Sequence, residues 1–109
     1  MSDEVTKVKR IRGVYRGGIT RTMSQAETIL QDEINEEGRN KLIALRNSMV
    51  DKLAKVKEMD GKLETLLIEM EGDAFETEVS ETLDYHDPIY ELFVAIENKL
   101  VIKGEVAKG

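Results

Sequence analysis

The stretch Arg39 to Met70, RNKLIALRNSMVDKLAKVKEMDGKLETLLIEM, decides the fold. Leu42, Met49, Val56, Leu63 and Met70 recur every seven residues, with Leu45, Met59 and Leu66 between them and Lys52 as the break in that second row. An apolar seam of period 3.5 flanked by Lys, Asp and Glu marks a long helix whose stripe is covered by partner helices. Asp60-Gly61 in its middle is a turn dipeptide. Val56, Leu63 and Met70 nevertheless keep their phase across it, which an inserted turn would break. The spacing predicts one helix over 36–71 with a soft spot at Gly61, and Leu53 is a further core position beside the seam.

The flanking segments must supply the cover. Val8, Ile11, Tyr15, Ile19, Met23, Ala26 and Leu30 follow three- and four-residue steps and fall within an arc of roughly 120° on a helical wheel, predicting a half-buried helix over 4–33. Val8, Ile19 and Leu30 are eleven apart, a spacing expected of a helix packing without much left-handed supercoil. Gly13, Gly17 and Gly18 each weaken that helix by roughly 1 kcal/mol relative to Ala, and Gly13 and Gly17 have the spacing of a close helix contact. Ile34 to Asn40, with Asn35 and Gly38, reads as the first reversal. Gly72 suits a left-handed residue past a helix, and Asp73 with Glu76 suits a capping box. A third helix over 74–103 then carries Phe75, Val79, Ile89, Phe93, Ile96 and Leu100, with Thr82 and His86 also on its seam. Pro88 removes the amide that would bond to the carbonyl of Asp84, so a kink is expected near it, and 104–109 reads as a flexible tail.

Composition narrows the function. At 109 residues the chain is one domain, too small for a separate catalytic lobe. With no cysteine, disulfides, thiolate metal sites and cysteine nucleophiles are excluded. No apolar run approaches a membrane span and no apolar leader opens the chain, so an intracellular, cytoplasmic protein is expected. The net charge of −6 is unevenly spread: residues 1–24 carry six cations against two carboxylates, while Glu64 to Glu91 holds ten carboxylates and no Lys or Arg. Such a split points to a basic tail for a polyanion or to two faces that meet each other.

Candidate chemistry is sparse. His86 lies among Asp84, Asp87 and Glu91, but it has no second imidazole and no Glu-x-x-His spacing. It reads instead as a polar seam position that helps fix register. There is no GxSxG, no phosphate-binding loop and no HExxH, and Ser24, Ser48 and Ser80 have no histidine at a useful spacing. The chain is therefore read as non-enzymatic, with no cofactor and no metal. Lys7, Lys9, Arg10, Arg12, Arg16 and Arg21 are the candidate nucleic-acid-binding residues, since cations that neutralise phosphates need no base contacts. They split between two flanks of the helix, Lys7, Arg10 and Arg21 on one and Lys9, Arg12 and Arg16 on the other.

The run RIRGVYRGGITR from Arg10 to Arg21, followed by Ala26 to Leu30, the long Leu-rich helix, Asp84-Tyr85 and Ile96 to Leu100, resembles the N-terminal coiled-coil segment of Gag-like polyproteins from BEL/Pao-type retrotransposons. The resemblance covers roughly residues 8–100; the Gly17-Gly18 pair and Pro88 depart from the uninterrupted helix it implies. It implies a structural segment acting in particle assembly, with no catalytic residues carried over. The expected fold is all-α, three long antiparallel helices in an up-down-up, coiled-coil-like bundle over 1–103. The expected function is assembly or scaffolding with a protein partner, itself or another helical protein. The alternatives are nucleic-acid binding through 7–21 and a helical adaptor for a cellular protein.

Overall fold

The structure is a computed structural model that describes the backbone of residues 2–108 and the side chains of residues 3–101. The described residues form three helices: α1 (Ser2–Leu30), α2 (Glu36–Leu67) and α3 (Ala74–Lys108). They form an all-α rod of 58 × 20 × 19 Å. Val8 of α1 shares a cluster with Met59, Leu63 and Leu67 near the end of α2, and Phe75 at the start of α3 packs there too. Ala26 shares another with Leu42 and Met49 near the start of α2 and with Leu92, Ile96 and Leu100 of α3. α2 therefore runs antiparallel to both neighbours, and the order is up-down-up. A middle cluster of Ile19, Leu53, Val56 and Ile89 joins the two.

Charge at the helix ends explains their bounds. Asp3 and Glu4 open α1, and Glu36 and Glu37 open α2, where the positive end of the helix dipole favours carboxylates. α1 stops at Leu30 rather than 33, because Asp32 and Glu33 would sit at its negative end. Lys99 of α3 instead donates to the Leu30 carbonyl at 3.4 Å, satisfying one of the acceptors that a helix end leaves open. Ile34 turns into the core, and Asn35, extended at φ −94° and ψ −176°, caps α2 by accepting from the Gly38 amide at 2.7 Å. α2 ends at Leu67 rather than 71, ahead of Glu69 and Glu71. Gly72 takes the left-handed conformation at φ +92°, and Thr77 N–H then bonds back to the Asp73 carbonyl as α3 begins.

α3 remains helical through Pro88. Both Pro88 and Asp84 are exposed, so water can satisfy the carbonyl that loses its helical donor. The helix also runs past 103, because a lone Gly104 costs only about 1 kcal/mol relative to Ala. The stretch expected as a tail is thus helical from Gly104 to Lys108, and Gly109 lies outside the described residues.

α1 and α2 lie closest together, and Gly18 sits at their contact. A Cβ there would stand 3.0 Å from Lys52 Cε, whose stem crosses the glycine while its Nζ donates to Ser48 Oγ. Lys52, which interrupts the apolar row of α2, therefore covers α1 with its methylenes. Gly13 and Gly17, the pair whose spacing suggested close packing, meet no atom of α2 within 4 Å. Gly61 is inside α2, and a Cβ there would meet nothing within 4 Å. Gly61→Ala is accordingly expected to raise stability by up to about 1 kcal/mol in a urea titration, whereas Gly18→Ala, which must displace Lys52, gains nothing. A marked loss at Gly61 would show that the chain turns there.

Candidate functional site: a buried charged layer beside an open groove

The seam of α1 keeps to the arc read from its apolar residues, with Met23 and Leu30 half-buried along it, but it also takes in polar members. Its inward positions are Val5, Val8, Arg12, Tyr15, Ile19, Thr22, Ala26 and Ile29, regular alternating steps of three and four. Ile11 is displaced outward, 44% exposed, and Arg12 takes its place in the core. The eleven-residue spacing of Val8, Ile19 and Leu30 is thus overlaid by a seven-residue repeat carrying polar members. On α3 the same steps run Phe75, Glu78, Thr82, Tyr85, Ile89, Leu92, Ile96 and Lys99, so Glu78 is inward and Val79 only half-buried.

Each helix thereby contributes one buried charge at the same level: Arg12, Asp60 and Glu78, 6%, 4% and 7% exposed. Arg12 Nη1 donates to Asp60 Oδ1 at 2.8 Å and also to Glu78 Oε2. Thr82 Oγ1 donates to Glu78 Oε2 at 3.2 Å. A second tier surrounds this centre. Lys9 Nζ stands 3.9 Å from Glu78, and Arg16 Nη2 stands 4.0 Å from Asp60. Arg16 also forks onto both oxygens of Glu81, at 2.8 and 3.1 Å, with its guanidinium 4.0 Å from the centre of the Tyr85 ring.

Electrostatics follow the geometry. Burial alone would lower the Arg12 pKa, but hydrogen bonds to Glu78 and Asp60, and the charges of both, outweigh it and hold the guanidinium above its ordinary value. The hydrogen bond from Arg16 holds the Glu81 carboxyl below its ordinary value, against a smaller upward push from burial. Burial pushes the Tyr85 phenol up, and its hydroxyl finds no partner in the protein.

His86 is held by α2 rather than by its sequence neighbours. Its Nε2 stands 3.2 Å from Asp60 Oδ2, out of line for a hydrogen bond, so the contact is an ion pair only when the imidazole is protonated. Asp84, Asp87 and Glu91 are exposed. Among the described residues, no group of three or more His, Asp and Glu is placed to hold a metal ion.

The six basic residues fall into two sets. Arg12 and Arg16 are committed to the charged layer and Lys9 leans on Glu78, while Lys7, Arg10 and Arg21 are exposed. Of the seam residues, Leu42, Met49, Leu53, Val56, Met59, Leu63, Ile89, Ile96 and Leu100 are buried. Leu45, Leu66, Met70, Phe75, Val79 and Phe93 are half-buried. Leu92, absent from the apolar pattern read on α3, is buried as well.

Beside the charged layer, α2 and α3 leave a groove of about 260 Å³ lined by Val50, Leu53, Ala54, Lys57, Tyr90 and Phe93. Lys57 Nζ lies 5.2 Å from the centre of the Tyr90 ring, and Arg46 donates to Glu97 across the same seam. Among the described residues no helix is long and apolar enough to cross a membrane. No protein-family model, no curated protein and no solved structure matches this chain.

Proposed function

We propose that the chain is a non-enzymatic helical assembly or scaffold module, a Gag-like structural segment of a retroelement polyprotein that acts through coiled-coil-like contacts with protein. The observation that carries the assembly role is the apolar surface left open along the α2/α3 groove of a 58 Å rod. The charged layer supports the same reading, because its groups are turned toward one another and serve helix order rather than a substrate. The Gag-like descent rests on the run from Arg10 to Arg21 and the Leu-rich helix that follows. Nucleic-acid binding is the second reading, favoured by the exposed Lys7, Arg10 and Arg21 on one flank of α1. Sedimentation equilibrium over a wide concentration range, with a parallel RNA titration at several salt concentrations, separates the two. The assembly role predicts a mass that rises with concentration and no appreciable RNA affinity near physiological salt. A constant mass of one chain, with a steeply salt-dependent RNA affinity lost on changing Lys7, Arg10 and Arg21 to Glu, would overturn it.

A further inference from the structure

Single exposed apolar residues are ordinary on a protein surface, whereas a contiguous row of them marks a contact. Leu83, Tyr90, Val94 and Val101 of α3 are each between 42% and 60% exposed. Their spacings are seven, four and seven, which at 3.6 residues per turn confines them to an arc of about 40°. The row runs beside the groove that Tyr90 shares with Val50, itself 49% exposed. Its spacing reads the same in both directions. Resting on the assembly role proposed above, we infer that this face is a self-association surface, on which a second copy lays its α3 antiparallel across the first about a two-fold axis level with Leu92. Leu83 then meets Val101 of the second copy, and Tyr90 meets Val94.

A two-fold contact requires a surface complementary to itself, and a row symmetric about its middle is the helical form of that requirement. The charges beside the row are consistent with it. Asp87 and Glu97 fill the two polar steps of the row, so the antiparallel register sets Asp87 opposite Glu97 of the second copy. Arg46, already bonded to Glu97, supplies the cation between them at both ends of the contact. The outward apolar pair on α1, Ile11 and Val14, is too short to form such a row and is set among Lys7, Arg10 and Arg21. A contact made instead by that basic face on the acidic start of α3 would be head-to-tail and weakened by salt. The two-fold contact joins chains of net charge −6 through apolar groups, so moderate salt strengthens it.

The native chain has no cysteine, which permits a direct test of register. Full-length Leu83→Cys and Val101→Cys chains, oxidised as a mixture, are expected to form the mixed disulfide, while neither forms one alone. In the antiparallel pair two Leu83 positions lie about 27 Å apart at 1.5 Å per residue. Val94→Glu places two carboxylates inside each dimer and is expected to weaken dimerisation by more than about 100-fold, with helical circular dichroism unchanged and, at concentrations where the native chain is monomeric, the urea midpoint unchanged. Concentration-dependent mass without the mixed disulfide, and unaffected by Val94→Glu, would overturn this surface and leave the assembly role standing. A Leu83 homodisulfide would show a parallel pairing and overturn the register. A wild-type chain that stays monomeric at every concentration and salt would overturn both the surface and self-assembly.

Discussion

Arg12→Ala is expected to lower the free energy of unfolding by about 3 to 5 kcal/mol, the loss typical when one partner of a buried ion pair is removed. The cost comes less from the bonds themselves than from what remains. Asp60 and Glu78 would lose their shared hydrogen-bonding partner at 4% and 7% exposure, with Lys9 3.9 Å from Glu78 and Arg16 4.0 Å from Asp60 as the cations left beside them. Stabilities of small domains lie near 5 to 15 kcal/mol, so the change consumes a large share of the total. Arg10→Ala, two residues away and exposed, is the control and should do almost nothing. Replacing Arg12 by Met together with Asp60 and Glu78 by Leu should recover most of the loss, because the desolvation penalty leaves with the charges. A urea titration that finds Arg12→Ala costing less than about 1 kcal/mol would mean that water reaches the layer.

Helix number, order and the central seam were legible because they depend on period alone. The heptad of α2 overrode the Asp60-Gly61 turn signal, and the structure keeps both residues helical. That signal nevertheless concealed the role of Asp60, which propensity assigns to a turn and which instead reaches into the core. Arg12 and Glu78 were hidden for a related reason. A pattern read from apolar residues alone passes over Arg12 and Glu78, although both fall within the apolar arcs of their helices, because it gives charged residues no weight in a core. The signal was present in the unbroken three- and four-residue steps through Arg12 on α1 and through Glu78 and Thr82 on α3. The meeting of the basic and acidic halves was legible from charge and parallel helix order, but not which cation meets which carboxylate. That choice depends on axial register, which brings together residues far apart in the sequence and which the pattern of a single helix does not encode.

The apolar clusters and the charged layer perform different tasks. Met59 and Leu63 on one side and Val56 on the other would accept several sliding registers of a uniform apolar seam. Arg12 accepts one, since only there does it find both Asp60 and Glu78. A single polar position in an apolar interface can fix register in this way at a cost in stability. Here the device lies inside one chain, and it leaves the α2/α3 groove free for contacts with another.

Leu63→Ala carries the second large effect. Leu63 has no exposed surface and packs in the cluster of Val8, Met59 and Leu67 at the end of the rod, beside the charged layer. Truncating a buried leucine costs about 2 to 5 kcal/mol, the spread reflecting how far the surroundings relax into the cavity. Two flexible methionines border this one, Met59 and the half-buried Met70, and thioethers fill irregular gaps well. The expected loss is therefore in the lower part of the range, about 2 to 3 kcal/mol, with an unchanged dependence on urea concentration. Glu64→Ala, at the next residue but exposed, should change stability by less than about 0.5 kcal/mol. Equal and small effects for the two would show that this end of the seam is open in a single chain. The rod would then close only when another molecule supplies the missing cover.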